Sequence, residues 1–218
     1  MKKPFDANAS YQPASFAFRN EDAVKEIISR YPAGKQRSAT MPLLDLAQRQ
    51  VAEDGIKASP PYGGWIPRAA MDEIARILDL PPIKVYEVAT FYSMYNLAPV
   101  GKYLLQVCTT TPCMLCGSQK ILDAAEEFLG IHVGESTADG RFTLVEVECL
   151  GACVNAPMLQ VNGDDYYEDL TPENTKELLL ALAHDKPVTV GSQKGRRASM
   201  AITGPTTLEE QAKKAGVK

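Results

Sequence analysis

Three cysteines lie within one stretch of twelve residues, VCTTTPCMLCGS, which spans Val107–Ser118. Cys108, Cys113 and Cys116 have the spacing C-x4-C-x2-C, which matches the first three iron ligands of a plant-type ferredoxin. The last two also form C-x-x-C, a spacing used by redox-active dithiols and by zinc ribbons. The stretch therefore predicts a metal or redox site, but it does not decide which thiols hold the bound group.

A second group of cysteines follows in VECLGACVNAPM, where Cys149 and Cys153 are separated by three residues. The first group follows YLLQV and the second follows TLVEV, and both of these apolar segments are typical of strands. If the two strands are parallel neighbours, both loops leave the sheet at one edge and four thiolates can converge. Small and hydroxylic residues beside the cysteines, Thr109–Thr111 and Gly151, leave backbone N–H groups free to bond sulfur.

The loop spacing bears on the choice of metal. Zinc sites usually use tight C-x2-C knuckles, whereas a 2Fe–2S cluster takes two ligands on each of two irons. Loops of C-x4-C and C-x3-C, 35 residues apart, favour the cluster. Zinc, dithiol chemistry and buried thiols remain alternatives at this point. Cysteines acting as small core residues explain one or two of the five, but not two paired loops.

Composition and charge narrow the class of protein. The five cysteines, an odd number, lie only between positions 108 and 153, which favours a reducing compartment over a disulfide scaffold. The net charge is −4, and the segment from Asp185 onward carries seven Lys or Arg against three Asp or Glu, which leaves about −8 on the rest. We expect no nucleic-acid binding from this acidic body. We also expect no direct membrane insertion, because no apolar run approaches the length of a membrane span. The first residues, MKKPFDANAS, lack the apolar core of a secretion signal and the Arg-rich, acid-poor character of a transit peptide, so we expect no leader peptide.

The elements that must position the cysteines follow from the hydrophobic periodicity. Four helical patterns come first, in EDAVKEIISRYP, TMPLLDLAQRQVA, PRAAMDEIARIL and PPIKVYEVATFYSMYN. The last places Val88, Phe91, Tyr92 and Tyr95 at helical spacing, which favours a bundle core over an interface. After LAPVG the pattern becomes strand, helix, strand, a hairpin turning at Asn162–Gly163, and a final helix.

We therefore predict an α+β fold, with an N-terminal helical bundle followed by an α/β domain for which the loop spacing favours a 2Fe–2S cluster. A thioredoxin-like arrangement is the simplest way to cover the sheet, and other α/β orders stay open at this point. The tail has little apolar periodicity, and we expect it to lie extended over a neighbour or to be disordered, with Arg196 and Arg197 able to dock an acidic surface. The predicted segments are an N-terminal extension (1–19), a four-helix bundle (20–98), the thioredoxin-like 2Fe–2S domain (99–185) and an extended C-terminal tail (186–218).

These motifs resemble a known family. PVGKYLLQVCTTTPCMLCGS, VEVECLGACVNAPM and YYEDLTPEN, together with LLDLAQRQ, GGWIP and PPIKVYEVATFYSMYN, closely resemble the 24 kDa subunit of respiratory complex I, the NuoE family of thioredoxin-like 2Fe–2S ferredoxins. The resemblance runs from about Phe16 to His184. Its motifs are long and specific.

The resemblance implies which thiols hold the cluster. In that family the ligands of the single 2Fe–2S cluster are the C-x4-C pair and the C-x3-C pair, here Cys108, Cys113, Cys149 and Cys153. Cys116 stands where the family pattern requires no cysteine, and we predict that it is not a ligand. A ligand role for Cys116 would also leave one cysteine of the second loop unused and that loop unexplained.

The resemblance further implies an electron-transfer role in the NADH-oxidising module of NADH:ubiquinone oxidoreductase, or complex I. The cluster would accept an electron from FMN, and both FMN and NADH would bind to the partner flavin subunit of complex I. The larger iron–sulfur subunit would be the second partner. The alternative is the small 2Fe–2S subunit of a soluble NAD-dependent hydrogenase or formate dehydrogenase. A zinc-bound scaffold is a more distant third.

The remaining residues suggest no bond chemistry. The sequence lacks G-x-G-x-x-G, a Walker motif and a catalytic triad, and His132 and His184 are isolated, so we expect no substrate-converting residues on this chain. Glu146 and Glu148 flank the second loop and would lower the potential of a bound cluster. By overall likeness we expect the matrix side of the mitochondrial inner membrane, in the peripheral arm of complex I, with the bacterial cytoplasmic side as the alternative.

Overall fold

The computed structural model describes residues 5–201, 203–204 and 207–216 of the chain. Within these residues, helices occupy the first part of the chain and strands begin at Tyr103. The predicted α+β class is confirmed. The helices are α1 (Glu21–Ser29), α2 (Thr40–Ile56), α3 (Arg68–Leu78), α4 (Pro82–Phe91), α5 (Thr111–Leu115), α6 (Ser118–Leu129), α7 (Pro172–Ala183) and α8 (Glu209–Lys214). The strands are β1 (Tyr103–Cys108), β2 (Phe142–Val147), β3 (Leu159–Val161), β4 (Asp165–Glu168) and β5 (Gly191–Ser192).

The chain divides into two compact units. The first contains the described residues up to Gln106 together with Leu129–Glu146, and the second contains Val107–Phe128 and the described residues from Val147 onward. All five cysteines belong to the second unit. The segment boundaries at 19, 98 and 185 stay predictions, and residues 1–4, 202, 205–206 and 217–218 of the predicted extension and tail lie outside the described residues.

The helices of the first unit begin and pack as their sequences dictate. The Asn20 side chain caps α1 by accepting a hydrogen bond of 3.0 Å from the Ala23 N–H. In α3, Met71 and Ile74 lie on one face and are fully buried. Burying each such side chain stabilises the fold by about 1.5–3 kcal/mol.

No helix among the described residues is both long enough and apolar enough to cross a bilayer.

The fourth helical pattern is only partly a helix. α4 ends at Phe91, and Tyr92 adopts an extended conformation with φ −82° and ψ 126°. The prediction that Val88, Phe91, Tyr92 and Tyr95 form one buried helical stripe is therefore wrong. Phe91 is 80% exposed, while Tyr95 is buried and donates a hydrogen bond of 2.9 Å to the Met41 carbonyl. Helical spacing in the sequence continues by coincidence beyond the residue at which the backbone turns.

The strands form one sheet in the order β2-β1-β3-β4-β5. The Tyr103 N–H donates to the Arg141 carbonyl at the start of β1 and β2, and the Thr109 N–H donates to the Val147 carbonyl at their ends. The start of β1 is therefore hydrogen-bonded beside the start of β2, and the end of β1 beside the end of β2. This pairing means that the two strands run parallel. β3 and β4 form the antiparallel hairpin that the sequence predicts, and its turn includes Asn162–Gly163, both with positive φ.

The segment after α7 contains a short strand that the sequence did not indicate. β5 pairs in parallel with β4, with Gly191 opposite Tyr167. Arg196 binds Asp169 of its own chain at 2.7 Å, and both side chains are largely buried. The expectation of a tail that is disordered or lies on a neighbour is thus wrong for this segment, and so is a docking role for Arg196. Backbone pairing with β4 and one buried ion pair order this segment. Neither interaction produces a periodic hydrophobic pattern in the sequence.

Candidate metal centre

The first cysteine loop lies at the end of β1. Cys108 is the last residue of that strand and Cys113 lies in α5, and each is only 2% exposed. Both pack against the buried Met158, whose carbonyl accepts a hydrogen bond of 3.3 Å from the Cys108 N–H. Four partly buried residues complete this apolar surrounding: Leu150, Ala152, Ala156 and Tyr166.

The second cysteine loop follows β2 and lies nearer the surface. Cys149 is exposed, Cys153 begins the 3-10 turn Cys153–Asn155, and their sulfur atoms are 3.4 Å apart. The Gly151 N–H donates a hydrogen bond of 3.4 Å to the Cys149 Sγ, as the sequence predicts for this glycine. Gly151 has a φ of +91°, and no atom lies within 4 Å of the position a Cβ would take. Backbone conformation, not lack of space, therefore favours glycine here.

The two loops meet, as the parallel strands predict. Cys113 forms a hydrogen bond with Cys108, and Cys149 interacts with both Cys108 and the hydroxyl of Thr110. Cys153 interacts electrostatically with both Cys108 and Cys113. The four thiols named as ligands by the resemblance thus form one connected group within the second unit.

Cys113, Cys149 and Cys153 differ in acidity because their surroundings differ. Burial, reinforced by the hydrogen bond with Cys108, raises the pKa of Cys113 to about 12. The Gly151 N–H and the Cys153 thiol lower the pKa of Cys149 by donating to its sulfur. The same hydrogen bond, with burial, raises the pKa of Cys153. Cys149 is therefore the thiol of these three that ionises most readily, and a metal must displace the proton of Cys113 to bind it.

The group fits a two-iron cluster better than a single ion. It consists of two thiol pairs, Cys108 with Cys113 and Cys149 with Cys153, and each pair comes from one loop. A structural zinc ion needs four ligands around one point, whereas two irons need two pairs. The Gly151 N–H directed at a sulfur is also a contact that tunes iron–sulfur sites.

Cys116 differs from the four thiols in position. It is the C-cap residue of α5 and is exposed, whereas Cys113, three residues earlier, is buried. The spacing C-x4-C-x2-C therefore does not correspond to three thiols in similar surroundings.

Two contacts of the site were not predicted. The Tyr166 hydroxyl donates a hydrogen bond of 2.7 Å to the Leu150 carbonyl and so fixes the second loop from β4. The Thr110 hydroxyl lies 3.3 Å from the Cys108 Sγ, so this residue contributes its side chain to the site. The run of threonines beside Cys108 could have indicated the contact of Thr110. No local sequence pattern indicates that Tyr166 bonds to a loop sixteen residues earlier in the chain.

Fold and site together define an α/β domain in which two cysteine pairs lie at the ends of neighbouring strands, and comparison with known families agrees. A model of the family described as thioredoxin-like 2Fe–2S ferredoxin matches residues 24–183. The chain belongs to this family of thioredoxin-like 2Fe–2S ferredoxins.

Relatives come from both mitochondria and bacteria. The chain is 48% identical over 203 residues to the mitochondrial NADH dehydrogenase (ubiquinone) flavoprotein 2 of Dictyostelium discoideum, covering 93% of this chain and 77% of that protein. It is 51% identical over 171 residues to the E subunit of NADH-quinone oxidoreductase from Rickettsia bellii, covering 78% of this chain and 95% of that protein.

Among solved structures, an NAD+-reducing NiFe hydrogenase in the air-oxidised state contains a similar fold. The match has a TM-score of 0.52 at 21% identity and covers 66% of this chain and 23% of that chain. At this identity the likeness concerns the fold alone.

Proposed function

We propose that this chain is the 2Fe–2S electron-transfer subunit of a complex I-type NADH:quinone oxidoreductase. The observation that carries the proposal is the convergence of Cys108 and Cys113 with Cys149 and Cys153 in one connected group. Family membership and the identity of about half to two NADH dehydrogenase subunits support the same role. The four cysteines are the proposed ligands, and Cys116 is the proposed non-ligand.

A bound 2Fe–2S cluster would exchange single electrons with a neighbouring redox group. The chain's own residues bind and shield it. Cys108 and Cys113 supply ligands from a buried apolar layer closed by Met158, which excludes water from one side. Cys149 and Cys153 supply ligands from an exposed loop, which leaves the other side accessible. Electron exchange would therefore occur on the side of the second loop.

The complex supplies the remaining chemistry. NADH and FMN would bind to the flavin subunit, with the larger iron–sulfur subunit nearby, and this chain would receive an electron from the FMN. The proposed location is the peripheral arm on the matrix side of the mitochondrial inner membrane, or the cytoplasmic side of a bacterial membrane. One relative is mitochondrial and the other bacterial, and together they support both of these locations.

Metal analysis of the purified chain tests the cluster. We expect two irons and two acid-labile sulfides per chain, and a 2Fe–2S electron paramagnetic resonance signal after reduction. Cys116→Ser should keep both, whereas Cys113→Ser and Cys153→Ser should lose the signal. Stoichiometric zinc, or loss of iron in Cys116→Ser with retention in Cys153→Ser, would contradict the ligand assignment.

Purification of the tagged chain from its native source tests the complex. Co-purification with FMN, several iron–sulfur subunits and membrane subunits is the expected result. A soluble assembly that contains nickel or molybdenum would instead support the hydrogenase or formate dehydrogenase alternative.

A further inference from the structure

The segment Gly191–Met200, here called the C-terminal strap, lies against the second cysteine loop. It begins with β5, where Ser192 is opposite Glu168 of β4. The Ser192 hydroxyl then donates a hydrogen bond of 2.6 Å to the Asp169 Oδ2 and accepts one of 3.1 Å from the Arg196 N–H. These bonds fix the start of the strap to the residue that follows β4.

Arg196 connects the strap to the backbone beside Cys153. Its Nη2 donates to the Asp169 Oδ1 at 2.7 Å, and its Nη1 donates to the carbonyl oxygens of Val154 and Met200, each at 3.3 Å. The guanidinium is 11% exposed and the Asp169 carboxylate 3%. A largely buried fork of donors therefore binds the carbonyl of Val154, the residue that directly follows the proposed ligand Cys153.

Asn155 makes a second connection between strap and loop. It is 3% exposed, and its Nδ2 donates to the Ala198 carbonyl at 2.9 Å and to the Glu168 Oε2 at 2.6 Å. Its own carbonyl accepts a hydrogen bond of 2.7 Å from the Asp169 N–H. The strap and the residues after β4 thus hold both residues that follow Cys153 in the 3-10 turn.

We propose that the C-terminal strap clamps the second cysteine loop and that Arg196 is a positioning residue for Cys153, acting through the Val154 carbonyl. The clamp keeps Cys153 in place for its metal, so it slows the opening by which iron leaves the exposed side of the site. Groups that orient a ligand typically change metal affinity about 10–100-fold when they are removed. The identity of the metal group rests on the proposed function, but the contacts of Arg196 do not.

The guanidinium is essential to this role because it serves several acceptors at once. A lysine at position 196 would keep a positive charge for Asp169. Its N–H donors all lie on one nitrogen, however, so it cannot also bind the Val154 and Met200 carbonyls as the planar guanidinium does. Arg196→Lys therefore separates the clamp from simple charge pairing. Arg196→Gln would leave Asp169 buried without a cation and risks unfolding the chain.

The experiment measures iron loss from the loaded, full-length chain in the presence of a ferrous chelator, well below its unfolding temperature. We expect Arg196→Lys to release iron about tenfold faster than the unmodified chain, and its reduced paramagnetic resonance signal to change in shape. Arg197→Lys is the matched control, because Arg197 is adjacent and exposed. It should release iron at the unmodified rate.

A second control separates clamping from general stability. Leu182 is buried in the last turn of α7, and Leu182→Ala should lower the unfolding temperature of the apo chain. Equal iron release from Leu182→Ala and Arg196→Lys at matched unfolding temperatures would overturn the proposal, as would an unchanged rate in Arg196→Lys. Failure of the unmodified chain to bind two irons would instead overturn the proposed function.

Discussion

At the scale of single residues, four cysteines of one chemical type acquire different properties. Cys113 is buried and its pKa is raised, while Cys149 is exposed and its pKa is lowered by the Gly151 N–H. The sequence predicts the membership of this group through spacing and resemblance. It cannot predict the acidities, because they depend on burial and on hydrogen bonds made after folding.

This difference predicts the order of chemical modification in the apo chain. In a Cys116→Ser background, iodoacetamide should alkylate Cys149 before Cys153 and Cys113, because only the thiolate reacts and Cys113 stays protonated and buried. A lowered pKa means that the thiolate exists at lower pH, so the rate for Cys149 should reach half its plateau below pH 9.0, the ordinary value. The rate for Cys113 should rise only toward pH 12.

Peptide mass spectrometry across pH 6–10 measures these rates, and the same chain in urea is the control. Unfolding removes both burial and the Gly151 contact, so the differences should largely disappear. Alkylation of Cys113 as fast as Cys149 in the folded chain would contradict the assigned environments.

At the scale of elements, the site depends on two parallel strands that start and end together. Gly101 precedes β1, and its N–H donates a hydrogen bond of 2.6 Å to the Thr143 hydroxyl of β2. A Cβ at Gly101 would lie 2.5 Å from the carbonyl carbon of Phe142 and 2.8 Å from its Cα. The neighbouring atoms belong to the backbone, so they cannot move aside as a side chain can.

Gly101→Ala should therefore push β1 and β2 apart at their start. We expect the free energy of unfolding to fall by about 3 kcal/mol, the upper end of the usual cost of overpacking. Urea denaturation followed by circular dichroism measures the loss. Gly34→Ala is the control, because a Cβ there meets open space and only its positive φ opposes it, which costs about 1 kcal/mol. Equal losses in the two variants would show that the close approach is unimportant.

The helices and strands differ in whether the sequence alone could predict them. The hairpin at Asn162–Gly163 was predicted because its turn residues have a local signature. The end of α4 at Phe91 was missed because helical spacing continues past it, and β5 was missed because two residues pairing through their backbone leave no hydrophobic pattern. Local signals predict local structure, whereas Asp169 and Arg196 are joined only by the fold.

At the scale of the whole molecule, charge is the property that acts over distance. The chain is acidic, with a net charge of −4, and Glu148 is exposed immediately before Cys149. A negative charge near a cluster favours its more positive, oxidised form and lowers its reduction potential. Exposure to water and salt limits this effect.

Glu148→Gln should raise the reduction potential of the loaded chain by on the order of 10 mV in dilute buffer, and by less at high ionic strength. Glu148→Asp, which keeps the charge, is the matched control and should leave the potential nearly unchanged. A redox titration followed by paramagnetic resonance measures both. A shift of the same size in the two variants, or one that does not respond to salt, would contradict an electrostatic origin.

The contact between Arg196 and the Val154 carbonyl spans 42 residues along the chain, and proteins are made from the N-terminus. All five cysteines are therefore synthesised before the strap, and during translation the second loop exists for a time without the residues that hold it. Any insertion of iron and sulfide that takes place on the nascent chain meets a loop that can still open. With the proposed clamp, synthesis of the last segment would then restrict the opening of this loop.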